Sequence, residues 1–304
     1  MATVGLLVLE WPLVIGADAS GVIVEASPEA ESKYNFKAGD YVCGCTRLGM
    51  KQYAAGQEYF LMDAQVTIPK PKNLALAQAA TIGAALETAS LAVFQGLRID
   101  LFDPDTEQGG KDDWMVVLGG GSSVGAAAIQ LLRAAGYKVL ASCSERSVAN
   151  VRNLGADTFD YKASMQDQVD RVFEITEGKI GGIFDAAASD DPVVAKELFN
   201  HDSWQSASKL FATTNDWSDV GSWSGGQTYE IELGPIGRPD AKDLNGFLEK
   251  VIPVLVKLVE HGKVKSGDYE VIGDGGLEDI VRAYKHKAGG ASGQRKIVVK
   301  VQEE

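Results

Sequence analysis

The chain has 304 residues, with 42 Asp and Glu against 29 Lys and Arg, so its formal net charge is −13. A surface of that sign repels phosphate backbones and anionic headgroups, which argues against nucleic-acid or membrane-surface binding as a general activity. Hydrophobic residues at 45% and charged residues at 23% are ordinary for a globular protein and do not indicate disorder. Glycine is in excess at 34 residues.

The cysteines and the N-terminal sequence favour a cytoplasmic protein. Three cysteines are too few for a disulfide framework, which favours a reducing compartment. Because no Cys-x-x-Cys or His-x-x-x-His spacing occurs, we expect no metal site. Glu10 and Pro12 interrupt the apolar start, unlike a signal peptide. Glycines at 119–121 interrupt the one uncharged run, 114–132, that is long enough to span a membrane.

The first ninety residues predict mainly β structure followed by a helix. Short β-branched or aromatic runs bounded by glycines predict strands at 22–25, Tyr41–Cys45 and 58–61. The Ala- and Leu-rich stretch 76–94 predicts one long helix. The polar segment 103–113 predicts a surface loop leading into the next part of the chain.

From Trp114 onward, strands and helices alternate. The predicted strands are 115–118, 138–141, 158–161, 182–186 and Lys209–Thr213, and the predicted helices are 124–135, 147–154, Met165–Thr176 and 192–199. This spacing predicts an α/β fold with a doubly wound parallel sheet. Further on, we predict a loop at 218–226, a helix at 244–261 kinked by Pro253, and strands 269–272 and 296–301 around helix 277–285.

Residues 119–125 read Gly-Gly-Gly-Ser-Ser-Val-Gly between a predicted buried strand and an Ala-rich helix. Such a turn lets backbone N–H groups approach a pyrophosphate, and the helix N-terminus adds a positive dipole. The alternative is a purely structural turn. The candidate pyrophosphate-binding residues are Gly120, Ser122, Ser123, Val124 and Gly125.

The end of the next predicted strand bears on the choice between NADH and NADPH. Many NAD sites place an acid here, against the ribose 2′-hydroxyl. This chain has Ser142, Ser144 and Arg146, which suit a 2′-phosphate and favour NADPH. Glu145 favours NADH instead, unless its carboxylate faces away from the cofactor at the start of the following helix.

Five motifs occur along the chain, at residues 11–21, 36–42, 119–125, 155–161 and 293–299. Together they resemble the medium-chain dehydrogenase/reductase superfamily, in its zinc-free quinone and enoyl reductase branch. The chain is most similar to the fungal zinc-binding-dehydrogenase-domain group, which includes trans-acting enoyl reductases and concanamycin-induced-type proteins. The resemblance implies a dinucleotide-binding Rossmann domain at 91–265 and a GroES-like domain formed by 1–90 and 266–304. The GroES-like domain is expected to be incomplete at its N-terminus, and a homodimer is expected.

The resemblance also implies roles for individual residues. Thr88 would lie beside the nicotinamide, Ser142, Ser144 and Tyr161 near the adenosine phosphate, and Lys296 near the cofactor. Structural alternatives are a backbone-bonded helix residue for Thr88, a cap on the sheet edge for Tyr161 and a solvated strand end for Lys296. Ala17 follows Gly16 where zinc-using relatives carry Gly-His-Glu, so catalytic zinc is not expected. The family's opening strands form one wall of the active site. Because the GroES-like domain is expected to be incomplete there, we assign no catalytic residue or proton donor.

These features predict an NADPH-dependent reductase of an activated C=C bond or a quinone. Thr213, Thr214 and Trp217 are candidate substrate-cleft residues, near 185–188. The loop aromatics Trp217, Trp223 and Tyr229 are either a lid or a hydrophobic cluster. One alternative is an alcohol or aldehyde dehydrogenase-like enzyme, which needs zinc or a Tyr/Lys relay. Another is a non-catalytic NADPH-binding sensor or scaffold.

Overall fold

The structure, a computed structural model, describes residues 8–221, 225–290 and 295–302, which fall into two units. The first unit takes described residues within 1–87, 233–260 and 266–304, and the second takes 88–232 and 261–265. The predicted domain division remains a prediction, and it differs from this grouping mainly at 233–260. That segment groups with the first unit because its helix packs on residues 64–69, where Gln65 Nε2 donates to Glu249 Oε2 at 2.7 Å.

The first unit is built on a small antiparallel sheet, as expected for a GroES-like domain. Its strands lie in the order β1-β2-β3, with a separate parallel pair β10-β11. The strands are β1 (Asp18–Val22), β2 (Tyr41–Cys45), β3 (Ile68–Pro69), β10 (Tyr269–Val271) and β11 (Lys296–Val298). The helices are α1 (Pro28–Tyr34), α2 (Leu76–Ala79), α3 (Gly83–Ser90, which continues into the second unit), α8 (Lys242–Glu260) and α9 (Glu278–Ala288).

The prediction for β2 is confirmed, and three others in this region are wrong. The strand expected at 22–25 lies at Asp18–Val22. Residues 58–61 form no strand, and Tyr59 and Leu61 are exposed. The expected single helix at 76–94 is α2, α3 and a π-helical segment, Leu91–Gly96. Helix α3 starts afresh at Gly83 because it packs against β2, where an added Cβ would lie 2.6 Å from the Cys45 nitrogen.

The second unit is a six-stranded parallel sheet in the order β6-β5-β4-β7-β8-β9, which confirms the doubly wound α/β class. Its strands are β4 (Trp114–Leu118), β5 (Lys138–Cys143), β6 (Asp157–Asp160), β7 (Ile180–Asp185), β8 (Lys209–Thr213) and β9 (Gly226–Glu230). Its helices are α4 (Ser123–Ala134), α5 (Val148–Asn153), α6 (Met165–Thr176) and α7 (Val193–Asn200). Leu140, Ile183, Phe199 and Phe211 are among its fully buried core residues.

Strand β9 lies partly in a segment predicted to be a loop, and it changes the interpretation of Tyr229. Tyr229 pairs with Ala212 of β8, and its hydroxyl donates to Gln95 Oε1 at 2.7 Å. It therefore belongs to the sheet and not to a lid. Trp223, the other aromatic residue considered for a lid, lies outside the described residues. Among the helices of the described residues, none has the length and apolar content that a membrane span requires.

Candidate cofactor site

The candidate site lies where the parallel sheet changes direction. From β4 the strand order runs to β5 and β6 on one side and to β7, β8 and β9 on the other. Leu118 and Asp185, the last residues of β4 and β7, are paired in register. In open α/β sheets ligands bind in the crevice outside the carboxyl ends of the strands at such a point. The segments that follow these ends are residues 119–125, here called the phosphate loop, and 186–190, here called the β7 loop.

Close backbone approach requires glycine at three positions of the phosphate loop. Gly119 has φ +80°, and an added Cβ would lie 3.1 Å from Ala187 Cβ. At Gly120 the added atom would be 2.7 Å from Ala141 Cβ, and at Gly125 it would overlap the Gly119 carbonyl oxygen. The loop is therefore folded tightly between β4, β5 and α4, as the sequence predicts for a phosphate-binding turn.

Two serine side chains hold this loop. Ser122 is the N-cap of α4, and its hydroxyl accepts from the Gly125 N–H at 3.0 Å. Ser142, at the end of β5, accepts the Gly119 N–H on its hydroxyl at 2.9 Å and the Gly120 N–H on its carbonyl at 2.8 Å. Ser142 is only 4% exposed. Its hydroxyl, expected near the adenosine phosphate, is thus bonded to the loop backbone.

The geometry of the loop suits a pyrophosphate. Among the hydrogen bonds of the described residues, none comes from the amides of Gly121, Ser123 or Val124. These groups lie at the start of α4, where backbone N–H groups lack intrahelical partners and the helix dipole is positive. Unpaired amides in a turn with no room for side chains are the groups that bind phosphate at helix N-termini. The residues present therefore fit a dinucleotide.

The residues expected around a 2′-phosphate lie at the ends of β5 and β6. The pairing of Cys143 with Asp160 brings Ser144 and Tyr161 to neighbouring strand ends. Ser144 Oγ lies 3.0 Å from Ser147 Oγ, and Tyr161 is 52% exposed. Arg146 and Glu145 are both exposed and follow Ser144 directly. Ser144, Arg146 and Tyr161 thus lie at the carboxyl ends of β5 and β6, with Glu145 beside them.

Thr88 and Lys296 lie in different units. Thr88 is a half-buried residue of α3. Lys296 begins β11 and forms an ion pair with Asp18 of β1, whose other carboxylate oxygen accepts from the Ala84 N–H at 2.6 Å. Lys296 is therefore not a freely solvated strand end.

Glu87, next to Thr88, is a buried acid that the sequence prediction missed. Its side chain is fully buried, and burial, followed by the nearby Asp18 charge, raises its pKa well above the usual value. The hydrogen bond from the Cys45 backbone N–H and the positive charge of Lys296 lower the pKa of Glu87, by less than burial raises it. Burial also raises the pKa of the Cys43 thiol to about 12. The one signal in the sequence was a lone acid within the apolar run 84–91.

The candidate cleft residues lie at the ends of β7 and β8. Thr213 is fully buried and its hydroxyl accepts from the Asn215 N–H at 3.1 Å, so it supports the turn that follows β8. The Thr214 hydroxyl donates to the Asp185 carbonyl at 3.3 Å. Trp217 is 54% exposed, and its Nε1 donates to Asp190 Oδ1 at 3.3 Å. Of these three, Trp217 is the most open to a ligand.

Known proteins that are similar to this chain in sequence are named as reductases and dehydrogenases. No family model matches the chain. The trans-enoyl reductase pvhC of Talaromyces variabilis is 30% identical over 283 residues, which cover 88% of this chain and 76% of that protein. The dehydrogenase orf1 of Aspergillus niger is 34% identical over 168 residues, covering 54% of this chain and 48% of that protein.

A solved structure supports the fold. An alcohol dehydrogenase superfamily protein from Novosphingobium aromaticivorans superposes with a TM-score of 0.75 at 20% identity, covering 99% of this chain and 86% of that one. The chain spans about half the length of several curated relatives that it matches.

Proposed function

Since the chain belongs to the medium-chain dehydrogenase/reductase superfamily, in its enoyl and quinone reductase branch, we propose that it is an NADPH-dependent reductase. It would transfer hydride to an activated C=C bond, as in an enone or enoyl group, or to a quinone, without zinc. The observation that carries this proposal is the phosphate loop, with three unpaired amides at the N-terminus of α4 and at the point where the strand order reverses.

The 2′-phosphate is the feature that distinguishes NADPH from NADH. Arg146 is exposed and has no ion pair among the described side chains, so its guanidinium is available to a phosphate. Ser144 and Tyr161 add hydroxyl groups at the same edge of the sheet. Glu145 lies in the first turn of the 3₁₀ segment that begins there, a position that suits a carboxylate turned away from the ligand.

Most of the residues proposed to bind and orient the cofactor belong to the second unit. When bound, the dihydronicotinamide supplies the hydride. The phosphate loop would hold the pyrophosphate, and Ser142 would hold the loop. Thr88 would lie beside the nicotinamide and Lys296 near the cofactor. Thr214 and Trp217 would line the substrate cleft, and Thr213 would support the turn after β8 that carries them. Such a site accelerates the reaction chiefly by fixing the reacting groups in position.

Two further properties are proposed, an oligomeric state and a cellular location. A homodimer is consistent with β9, which is the last strand of the sheet and has one unpaired edge among the described strands. A cytoplasmic location is consistent with three cysteines that are all buried and free.

The function is tested by mixing the full chain with NADPH and following its absorbance at 340 nm in the presence of enones, enoyl thioesters and quinones. Oxidation that depends on the acceptor and survives dialysis against a chelator is expected. NADPH binding with no oxidation by any acceptor would overturn the reductase proposal and leave a binding protein. Oxidation only of alcohols with NADP⁺, abolished by the chelator, would indicate a zinc alcohol dehydrogenase.

A further inference from the structure

The β7 loop is held in a defined conformation by the strand before it. Asp185 is fully buried, and its two carboxylate oxygens accept from the Ala187 N–H and the Ser189 N–H, each at 2.9 Å. Ala188, between them, has φ +55°, a conformation that alanine seldom adopts without support from its surroundings. Asp185 therefore fixes the loop from its own side.

Asn215, which follows β8, fixes the same loop from the other side. Its side chain is fully buried. Its Nδ2 donates to the Ser189 carbonyl at 3.0 Å and to Ser218 Oγ at 2.6 Å. Its Oδ1 accepts from the Trp217 N–H at 3.2 Å and from the Ser218 N–H at 3.1 Å. Both amide donors and both lone pairs are thus used, which leaves this side chain one orientation.

The β7 loop also contacts the phosphate loop. The Ala186 N–H donates to the Leu118 carbonyl at 2.9 Å, and the Ser122 hydroxyl donates to the Ala186 carbonyl at 3.4 Å. Gly119 has no side chain where it faces Ala187. The β7 loop therefore lies between the phosphate loop and Asn215, and a chain of hydrogen bonds joins all three.

We propose that Asn215 is a positioning residue for the nicotinamide half of the bound cofactor. This inference rests on the proposed function. In a doubly wound sheet the two halves of a dinucleotide bind on opposite sides of the point where the strand order reverses. The ends of β5 and β6 carry the candidate 2′-phosphate residues, so the adenine half belongs on that side. The β7 loop and the turn at 214–218 then form the wall on the nicotinamide side.

The test compares the affinity for NADPH with that for adenosine 2′,5′-bisphosphate, which contains the adenine half alone. In Asn215→Ala the β7 loop loses its buried hydrogen bond to Asn215 and keeps the half-exposed contact of Asp190 with Trp217. NADPH should therefore bind about tenfold more weakly, the size expected for the loss of one buried hydrogen bond. The affinity for the bisphosphate should be unchanged. Asn215→Asp keeps the acceptor oxygens and loses the donation to Ser189, so it should show the same selective loss even if the alanine variant fails to fold.

The matched control is Asn245→Ala. Asn245 is also a buried Asn, with one bond from the Gly237 N–H and one to the Arg238 carbonyl, but it lies in the first unit. It should lower the melting temperature without changing the ratio of the two affinities. An equal loss of both affinities in the Asn215 variants, or no loss, would overturn the inference and leave the proposed function intact. A wild-type chain that binds neither nucleotide would overturn both.

Discussion

At Gly125 the backbone of α4 comes so close to the end of β4 that no side chain can be accommodated. A Cβ there would overlap the Gly119 carbonyl oxygen and lie 3.0 Å from the Gly120 Cα. Both neighbours are backbone atoms, so a larger residue must displace the phosphate loop itself. A substitution at Gly125 should therefore disturb the proposed pyrophosphate site.

Gly125→Ala should weaken NADPH binding by at least about tenfold, because moving the loop misaligns its amides by a few tenths of an ångström or more. The control is Gly246→Ala in α8, where an added Cβ meets nothing within 4 Å. That change should stabilise the protein slightly, since alanine is favoured over glycine in helices by about 1 kcal/mol. Fluorescence titration and thermal unfolding measure both effects. Wild-type affinity in Gly125→Ala would rule out the loop as the binding site.

Glu87 affects stability through its protonation. Because burial raises its pKa in the folded state above the ordinary 4.5, the folded protein holds this proton more tightly than the unfolded chain does. Its contribution to stability is therefore complete below pH 4.5 and declines as the pH rises towards the raised pKa.

Glu87→Gln should remove that decline. Between pH 5 and 8 the free energy of unfolding of the wild type should fall relative to that of the variant, by at most about 1.4 kcal/mol per pH unit. Denaturant unfolding at several pH values measures the difference. Glu58→Gln, at an exposed site, is the control and should leave the pH dependence unchanged. A difference between wild type and Glu87→Gln that does not vary with pH would show that Glu87 is ionised in the folded protein.

Among the elements of the second unit, the end of β5 carries residues with two different proposed roles in binding the cofactor. Ser142 holds the phosphate loop, whereas Ser144 and Arg146 follow the strand and lie at the edge of the sheet. In the proposed function, the first role would concern the pyrophosphate, which NADH and NADPH share. The second would concern the 2′-phosphate, which only NADPH carries.

Ser142→Ala should therefore weaken NADH and NADPH binding by the same factor, roughly five- to tenfold, because it leaves the Gly119 N–H without an acceptor. Arg146→Ala should weaken NADPH binding alone. Calorimetric titration of each variant with both cofactors separates the two roles. A loss restricted to NADPH in Ser142→Ala would instead show that this hydroxyl contacts the 2′-phosphate directly.

The sequence predicted the second unit better than the first, for a physical reason. Buried parallel strands are continuous apolar runs, and the prediction for strand Lys209–Thr213 matches the structure at both ends. The prediction for helix Met165–Thr176, whose apolar residues recur at helical spacing, also matches at both ends. Helix 76–94 was predicted as one piece because alanine and leucine favour helix throughout, while the break at Gly83 depends on packing against β2. Strand β9 was missed because only Tyr229 and Gly226 of its five residues are partly buried.

The candidate site was predictable only in part. The phosphate loop has a local signature in glycine and serine, and the structure folds it into a tight turn between β4 and α4. Asn215 and Glu87 have no such signature, since their roles come from hydrogen bonds or charges contributed by distant segments. The same holds for Ser142, whose position the sequence identified while its bond to Gly119 could not be foreseen.

At the scale of the whole molecule, a chain with a net charge of −13 is proposed to bind a ligand rich in phosphate. The negative net charge is compatible with such a ligand, because the phosphate loop would bind phosphate through backbone amides and a helix dipole, without a lysine. A cationic side chain is proposed only at the 2′-phosphate, where Arg146 is exposed.

Ionic strength should therefore affect the two cofactors differently. Added salt screens exposed charges over about 10 Å at 0.1 M, so raising the concentration from 0.05 to 0.5 M should weaken NADPH binding more than NADH binding. The preference for NADPH should shrink several-fold over this range in the wild type and stay flat in Arg146→Ala. An equal salt dependence for both cofactors in the wild type would contradict a role for Arg146 at the 2′-phosphate.

Reductase activity with NADPH is measured by the ratio of kcat/KM for NADPH to that for NADH, with one acceptor that supports turnover. We expect a ratio of about ten or more, the size expected of one charge-assisted phosphate contact. A ratio of one or less, or no oxidation of either cofactor by any enone, enoyl thioester or quinone, would contradict it.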